Sequence, residues 1–115
     1  FDPARATRGL GTEWEFDRLS IKPYPTCRLT HPPISAALEL RAQLGSDVEK
    51  IERVELVMGP QAHDVVGREV PEKRTPQTRV NAQFSAYWGV ASALAYGEVT
   101  PRPAAGRSPS ARRAP

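Results

Sequence analysis

The sequence contains little cysteine and little histidine, and this argues against several kinds of site. One cysteine, Cys27, and two histidines occur among 115 residues. A single thiol cannot form an internal disulfide, which favours a reducing compartment, so we expect a cytoplasmic protein. A zinc site takes three or four protein ligands, and Cys27 with His31 supplies two, so we expect no metal. No apolar run approaches the roughly 20 residues that span a bilayer, and we expect no membrane partner.

Basic charge is also scarce outside the C-terminal end. The formal net charge is +3, but four arginines and no acid lie in the last fifteen residues, leaving 12 basic and 13 acidic side chains elsewhere. A near-neutral body without a basic, aromatic face excludes a nucleic-acid partner. The Pro, Ala and Arg content of residues 101–115 predicts a disordered tail, and residues 1–100 are expected to form one domain. An arginine-rich arm that contacts nucleic acid or a membrane is the alternative for this tail.

Apolar spacing predicts the main elements of residues 1–100. Residues 32–44 and 80–95 have helical spacing, with Gly45 and Gly97 as their C-terminal stops. Alternating side chains predict short strands at residues 14–21 and 51–58, and residues 61–76 are expected to form a long loop that holds a short strand near 64–66. The expected fold is therefore α+β, with a small, mostly antiparallel sheet packed by two main helices.

The ten residues from Lys22 to His31 concentrate the polar groups that favour chemistry. They read Lys-Pro-Tyr-Pro-Thr-Cys-Arg-Leu-Thr-His, directly before the first predicted helix. The prolines stiffen the loop, and a helix N-terminus beside Lys22 and Arg28 favours a carboxylate or phosphate. We expect Lys22, Cys27 and His31 to meet in one open, electropositive pocket. The same residues also fit surface charges, a small buried cysteine and a hydrogen-bonded core histidine.

The chemistry of such a cluster suits proton transfer beside a carboxylate. A fixed cation stabilises the charge that develops on the carboxylate, and an imidazole exchanges a proton near neutral pH. Cysteine–histidine nucleophilic catalysis is a weaker alternative, because no oxyanion motif accompanies Cys27.

The motif Lys-Pro-Tyr-Pro-x-Cys-Arg-x-x-His, followed by an Ala-rich helix, closely resembles the MmgE/PrpD family. That family includes 2-methylcitrate dehydratase, cis-aconitate decarboxylase and iminodisuccinate epimerase. Further similarity lies at residues 9–14, 51–60, 81–85 and 97–99, so the resemblance covers roughly residues 1–100. It implies the second, C-terminal α+β domain of a longer protein, whose N-terminal helical domain is missing here and carries the main acid and base groups.

The resemblance also implies a function and a set of site residues. The function is that of a metal-free lyase, without a cofactor, acting on a citrate-like polycarboxylate as a homodimer when intact and inactive as this fragment alone. Catalytic roles would fall to Lys22, Cys27 and His31, with orientation of the loop as the alternative role for His31. Substrate-binding roles would fall to four further residues, Tyr24, Arg28, Tyr87 and Trp88.

Two details of the resemblance limit what it implies. Cys27 stands where animal decarboxylases carry histidine, which favours dehydration over decarboxylation. Tyr87 and Trp88 both lie near a tyrosine position of the family. The alternative from another class is a non-catalytic binding or assembly module, in which the Pro-rich loop and the Trp88 helix form a protein interface. Either way, we expect exposed apolar patches on the isolated chain.

Overall fold

The computed structural model describes residues 2–100, except for the side chain of Ser46, and shows a helical domain. The α-helices are α1 (Ala4–Thr7), α2 (His31–Leu44), α3 (Pro60–Ala62), α4 (Pro71–Arg74), α5 (Arg79–Gln83) and α6 (Ala86–Tyr96). Three 3₁₀ turns (Glu15–Arg18, Arg28–Thr30 and Gly45–Lys50) and one π turn (His63–Gly67) complete the regular structure. Within residues 2–100 there is no strand, so the expected α+β fold with an antiparallel sheet is wrong.

Helix α2 confirms the first predicted helix. It begins at His31, and Pro32 and Pro33 occupy the first turn, where a missing backbone donor costs nothing. It ends at Leu44 and is followed by the predicted stop, Gly45, whose φ of 56° is readily adopted only by glycine. Its buried face is formed by Ile34 and Ala37.

The second predicted helix is divided into α5 and α6. The break falls at Phe84 and Ser85, where the Ser85 hydroxyl accepts a hydrogen bond from the Trp88 backbone N–H at 3.0 Å. Serine is a favoured N-cap residue and a poor interior one, because its hydroxyl competes for backbone groups. The predicted stop at Gly97 is confirmed, with φ 72° and a bond from its N–H to the Ala93 carbonyl at 2.9 Å.

Packing of α2 against α6 forms the core. Ile34 and Ala37 of α2 are buried with Val90 and Ala93 of α6. The helices approach closely at Gly89, where an added Cβ would lie 2.9 Å from Ile34 Cδ1. This contact holds the start of α2 and the start of α6 in a fixed relation, which matters because the candidate site residues lie at these two ends.

The predicted strand at residues 14–21 is replaced by an exposed segment. Its centre forms the Glu15–Arg18 turn, and Trp14, Phe16, Leu19 and Ile21 are 66–94% exposed instead of facing a core. Alternation specifies a strand only where a neighbouring strand supplies hydrogen bonds and another layer covers one face. Neither is present along this segment in the described part of the chain.

The other predicted strands are also absent. Residues 51–58 have no regular structure, although their alternation survives in part: Leu56 and Met58 are half-buried and Val57 is 97% exposed. Residues 64–66 lie in the π turn, where Val66 is fully buried. None of the helices described is long and apolar enough to span a membrane. The tail predicted at residues 101–115 lies outside the described residues.

Candidate functional site

The Pro-rich loop is folded around the backbone carbonyl of Thr26. Lys22 Nζ donates to this oxygen at 3.3 Å, and His31 Nε2 lies 3.3 Å from the same atom. A carbonyl oxygen only accepts, so Nε2 carries the hydrogen of this contact. The geometry therefore brings Lys22 and His31 together at one acceptor. The open, electropositive pocket shared with Cys27 stays a prediction.

Cys27 lies beside this acceptor as a half-buried free thiol. The bonds that hold Cys27 are made by its backbone: its N–H donates to the Gln83 carbonyl at 2.8 Å, and its carbonyl accepts from the Thr30 N–H at 2.9 Å. The position of the thiol is thus set by the loop rather than by a bond to Lys22 or His31.

Two residues that the sequence analysis missed hold the loop in place. Thr30 is fully buried, and its hydroxyl lies 2.8 Å from both Thr26 Oγ1 and the Cys27 carbonyl. Gln83 of α5 binds the loop on either side of Thr26. Its side-chain amide donates to the Pro25 carbonyl at 2.9 Å, and its backbone carbonyl accepts from the Cys27 N–H. A threonine just before a helix is a local signal that could have been used. Gln83 gives no such signal, because it lies 58 residues from Pro25.

The His31 imidazole is enclosed on its other sides. It is 6% exposed, and the Tyr24 ring packs edge-on against it with centroids 5.2 Å apart. The Tyr24 hydroxyl is paired with Ser35 Oγ at 3.0 Å. His31 Nδ1 is buried and has no hydrogen-bond partner among the residues described.

Arg28 is bonded to the segment that precedes the loop. Its guanidinium donates to the backbone oxygen and the hydroxyl of Ser20, at 3.1 and 2.7 Å. These bonds tie the exposed preceding segment to the loop. The predicted substrate-binding role of Arg28 would require the guanidinium to exchange these bonds for the substrate.

Tyr87 and Trp88 lie in a different region. They line a cavity of about 790 Å³ between residues 54–58 and α6, and none of Lys22, Cys27 and His31 lines it. Tyr87 and Trp88 are therefore separated from the other predicted substrate-binding residues, Tyr24 and Arg28, neither of which lines this cavity.

The polar contacts of this cavity are largely satisfied by protein groups. The Tyr87 hydroxyl donates to the Gly67 carbonyl at 2.9 Å, and the Arg74 guanidinium lies 5.1 Å from the centre of the Tyr87 ring. Arg74 is paired with Glu69 at 2.5 Å, and this hydrogen bond raises the pKa of Arg74 above its usual value. Because Glu69 neutralises Arg74, the cavity is less suited to an anion than the loop.

The loop can bind an anion at Lys22. Lysine has three ammonium donors, and the Thr26 carbonyl engages one of them on an exposed residue. The remaining donors are able to bind a carboxylate. Among residues 2–100, no group of three or more His, Cys, Asp or Glu side chains is placed to hold a metal ion.

Comparison with known families gives one match. The model of the MmgE/PrpD C-terminal domain matches residues 24–112. The matched region includes Tyr24 and Cys27–His31, starts two residues after Lys22 and extends beyond residue 100. Neither the curated proteins nor the solved structures gave a significant match. Because the family match covers most of the chain, and because the Lys22–His31 motif had indicated the same family, this chain belongs to the MmgE/PrpD family, within its C-terminal domain.

Proposed function

We propose that this chain is the substrate-contributing domain of a metal-free lyase that dehydrates a citrate-like polycarboxylate. The observation that carries the proposal is the shared contact of Lys22 and His31 with the Thr26 carbonyl, in a chain of the MmgE/PrpD family. It places a cation with free donors at the end of a stiff loop. Family membership then favours a polycarboxylate among the anions that such a cation could bind.

The role of Lys22 follows from the charge that dehydration creates. A base removes the proton from the carbon next to a carboxylate, negative charge spreads onto that carboxylate, and the hydroxyl on the next carbon leaves as water once protonated. An ammonium already in place stabilises this charge without reorganisation at the moment of reaction. The groups that move the protons are assigned, in this proposal, to a helical domain that precedes this one in the intact enzyme.

The test is turnover of 2-methylcitrate and citrate by the full-length protein, followed by ultraviolet absorbance of the unsaturated product. Lys22→Ala should lower the rate on the order of a hundredfold to a thousandfold, as loss of one preorganised donor does. Lys22→Arg should recover only part of this rate, because a planar fork replaces a point charge. Lys50→Ala is the matched control, since Lys50 is 79% exposed and paired only on the surface, with Asp47.

Three results would contradict parts of the proposal. A near-normal rate for Lys22→Ala would refute the role of Lys22. Loss of wild-type activity in the presence of a chelator would refute a metal-free mechanism. Cys27→Ser should be milder than Lys22→Ala if the thiol only lines the site, and an equal loss would assign proton transfer to the thiol.

An assembly role is the second candidate function. It is favoured by the large apolar side chains between residues 10 and 21, which are 66–94% exposed and are Leu10, Trp14, Phe16, Leu19 and Ile21. Five large, exposed apolar side chains within twelve residues are typical of an interaction segment. We propose that a second copy of the chain covers it. Absence of turnover, together with self-association of the chain in sedimentation velocity, would favour this role over the lyase.

A further inference from the structure

We infer that His31 is a positioning residue that directs the Lys22 ammonium through the Thr26 carbonyl, and that it does so as the Nε2–H tautomer. The inference rests on the proposed function, because positioning matters only if Lys22 meets a substrate. It assigns His31 a role different from the proton-transfer role that its residue type suggests.

The first step concerns the tautomer. Nε2 faces the Thr26 carbonyl at 3.3 Å, and a carbonyl requires a donor. In the neutral imidazole, Nδ1 is then an acceptor. Nδ1 is buried and has no partner among residues 2–100, and the Tyr24 ring closes one side of the imidazole. A group that shuttles protons needs access to substrate or solvent, and neither nitrogen of His31 has it in this arrangement.

The second step concerns the shared acceptor. A carbonyl oxygen has two lone pairs, and Lys22 Nζ and His31 Nε2 each lie 3.3 Å from it. Lys22 is exposed, and its long side chain has many rotamers when nothing holds it. The carbonyl selects among these rotamers, so whatever holds the carbonyl also holds the ammonium.

The third step concerns what holds the carbonyl. Gln83 binds the loop on both sides of Thr26, at Pro25 and at Cys27, and thereby limits rotation of the intervening peptide groups. His31 fixes the direction of the Thr26 carbonyl itself, since Nε2 is part of a ring buried at the start of α2. Gln83 therefore acts as a second positioning residue, independent of His31. Support of this kind is what keeps a functional group in its productive geometry.

The first experiment measures the tautomer directly on the whole chain. Long-range ¹H–¹⁵N correlation spectra distinguish the two tautomers, and the chain contains only two histidines, so the exposed His63 serves as the internal reference. We expect His31 to occupy the Nε2–H tautomer and His63 to show exchange between tautomers. A His31 spectrum that shows the Nδ1–H tautomer, or that matches His63, would overturn the inference.

The second experiment measures the effect on Lys22 without relying on turnover. The Lys22 ammonium signal in ¹⁵N-detected spectra should exchange slowly with solvent in the wild-type chain. Exchange of the Lys22 ammonium with solvent should become as fast as that of Lys50 in His31→Leu. It should remain slow in His31→Gln, whose side-chain amide keeps a hydrogen-bond donor. Equal exchange in the wild type and both variants would overturn the inference. This result stands whether or not the protein proves to be a lyase.

The third experiment uses the full-length enzyme. Misplacing a reacting group by about 1 Å typically costs about a hundredfold in rate, so His31→Leu should lower kcat by about that factor with little change in KM. His31→Gln should recover at least part of it and keep both limbs of the pH–rate profile. If His31→Gln is as inactive as His31→Leu and loses one limb of the profile, His31 transfers protons and the inference fails.

Gln83 keeps the inference testable if the His31 variants do not fold. Gln83→Leu removes the hydrogen bond from the side-chain amide to the Pro25 carbonyl but retains side-chain bulk. Like His31→Leu, it should lower kcat with little change in KM. Gln43→Leu, at an exposed position of α2, is the matched control. Thermal unfolding of each variant checks that the domain is intact. Unchanged kcat and unchanged Lys22 exchange in a folded Gln83→Leu would overturn the positioning role of Gln83. If no variant or wild-type protein turns over either substrate, the proposed lyase fails, and the two spectroscopic experiments still decide the inference.

Discussion

Gly89→Ala probes the contact that sets the distance between α2 and α6. The added methyl group would lie 2.9 Å from Ile34 Cδ1 and 3.0 Å from Ile34 Cγ1, closer than carbon atoms pack. Ile34 is fully buried in the α2–α6 core, so a shift of its side chain must disturb the packing of its buried neighbours. Overpacking of this kind costs about 1–3 kcal/mol. The alanine also favours the helix by about 0.8–1 kcal/mol relative to glycine.

The expected net effect is a loss of about 1 kcal/mol in the free energy of unfolding. For a domain of this size, that corresponds to a fall in Tm of roughly 4–8 °C. Urea unfolding followed by far-ultraviolet circular dichroism measures the change. Gly59→Ala is the matched control, because it adds the same methyl group at φ −65° with nothing within 4 Å. That change should be neutral or stabilising by no more than about 1 kcal/mol.

A double-mutant cycle with Ile34→Val identifies the source of the loss. Ile34→Val removes Cδ1, the nearest atom, and alone should cost about 0.5–1.5 kcal/mol. In the Gly89→Ala background it should cost less, with a coupling energy of at least about 0.5 kcal/mol. If Gly89→Ala stabilises the chain by about 1 kcal/mol, as an unhindered helix position would, and the coupling is zero, the α2–α6 contact described above is refuted.

Three further predictions test the loop, the division of the second helix and the exposed segment. Thr30→Val should lower the free energy of unfolding by about 1–3 kcal/mol, because it removes a fully buried hydroxyl and leaves the buried Thr26 hydroxyl without its hydrogen-bond partner, whereas the exposed Thr12→Val should change it by no more than about 0.5 kcal/mol; equal losses in urea unfolding would contradict this. Ser85→Ala should lower the free energy of unfolding by about 1–2 kcal/mol, because it removes the N-cap of α6 and the hydrogen bond to the Lys73 carbonyl at 2.5 Å; an unchanged free energy would contradict the division into α5 and α6. Ile21→Glu should weaken self-association of the chain in sedimentation velocity, because Ile21 is 94% exposed among the apolar side chains of residues 10–21; a monomeric wild type at micromolar concentration would contradict this.

The family and the loop could be predicted from sequence because both depend on residues close together in the chain. The motif Lys-Pro-Tyr-Pro-x-Cys-Arg-x-x-His resembles the MmgE/PrpD family, and the family match confirms that resemblance. The same closeness explains why Lys22 and His31 meet at Thr26, since only nine positions separate them. The helix His31–Leu44 and the stops at Gly45 and Gly97 were also predictable, because prolines, glycines and helical spacing act locally on the backbone.

The absent sheet shows where local pattern is insufficient. Residues 14–21 and 51–58 alternate as strands do, but a strand needs the backbone groups of a neighbour, and the chain places none beside either segment in the described range. Alternation of apolar and polar residues indicates which side chains could be buried on one face. Whether another element covers them is a property of the whole fold.

The division of the site was likewise decided by tertiary structure. Packing of α2 on α6 through Ile34 and Gly89 places Tyr87 and Trp88 beside a cavity that the Lys22 loop does not line. The same packing brings Gln83 against Pro25, which is 58 residues away along the chain, and against Cys27. The residue types of the candidate site could be proposed from sequence, because chemistry depends on side-chain identity. Their grouping was not, because it depends on which distant segments the buried faces of two helices bring together.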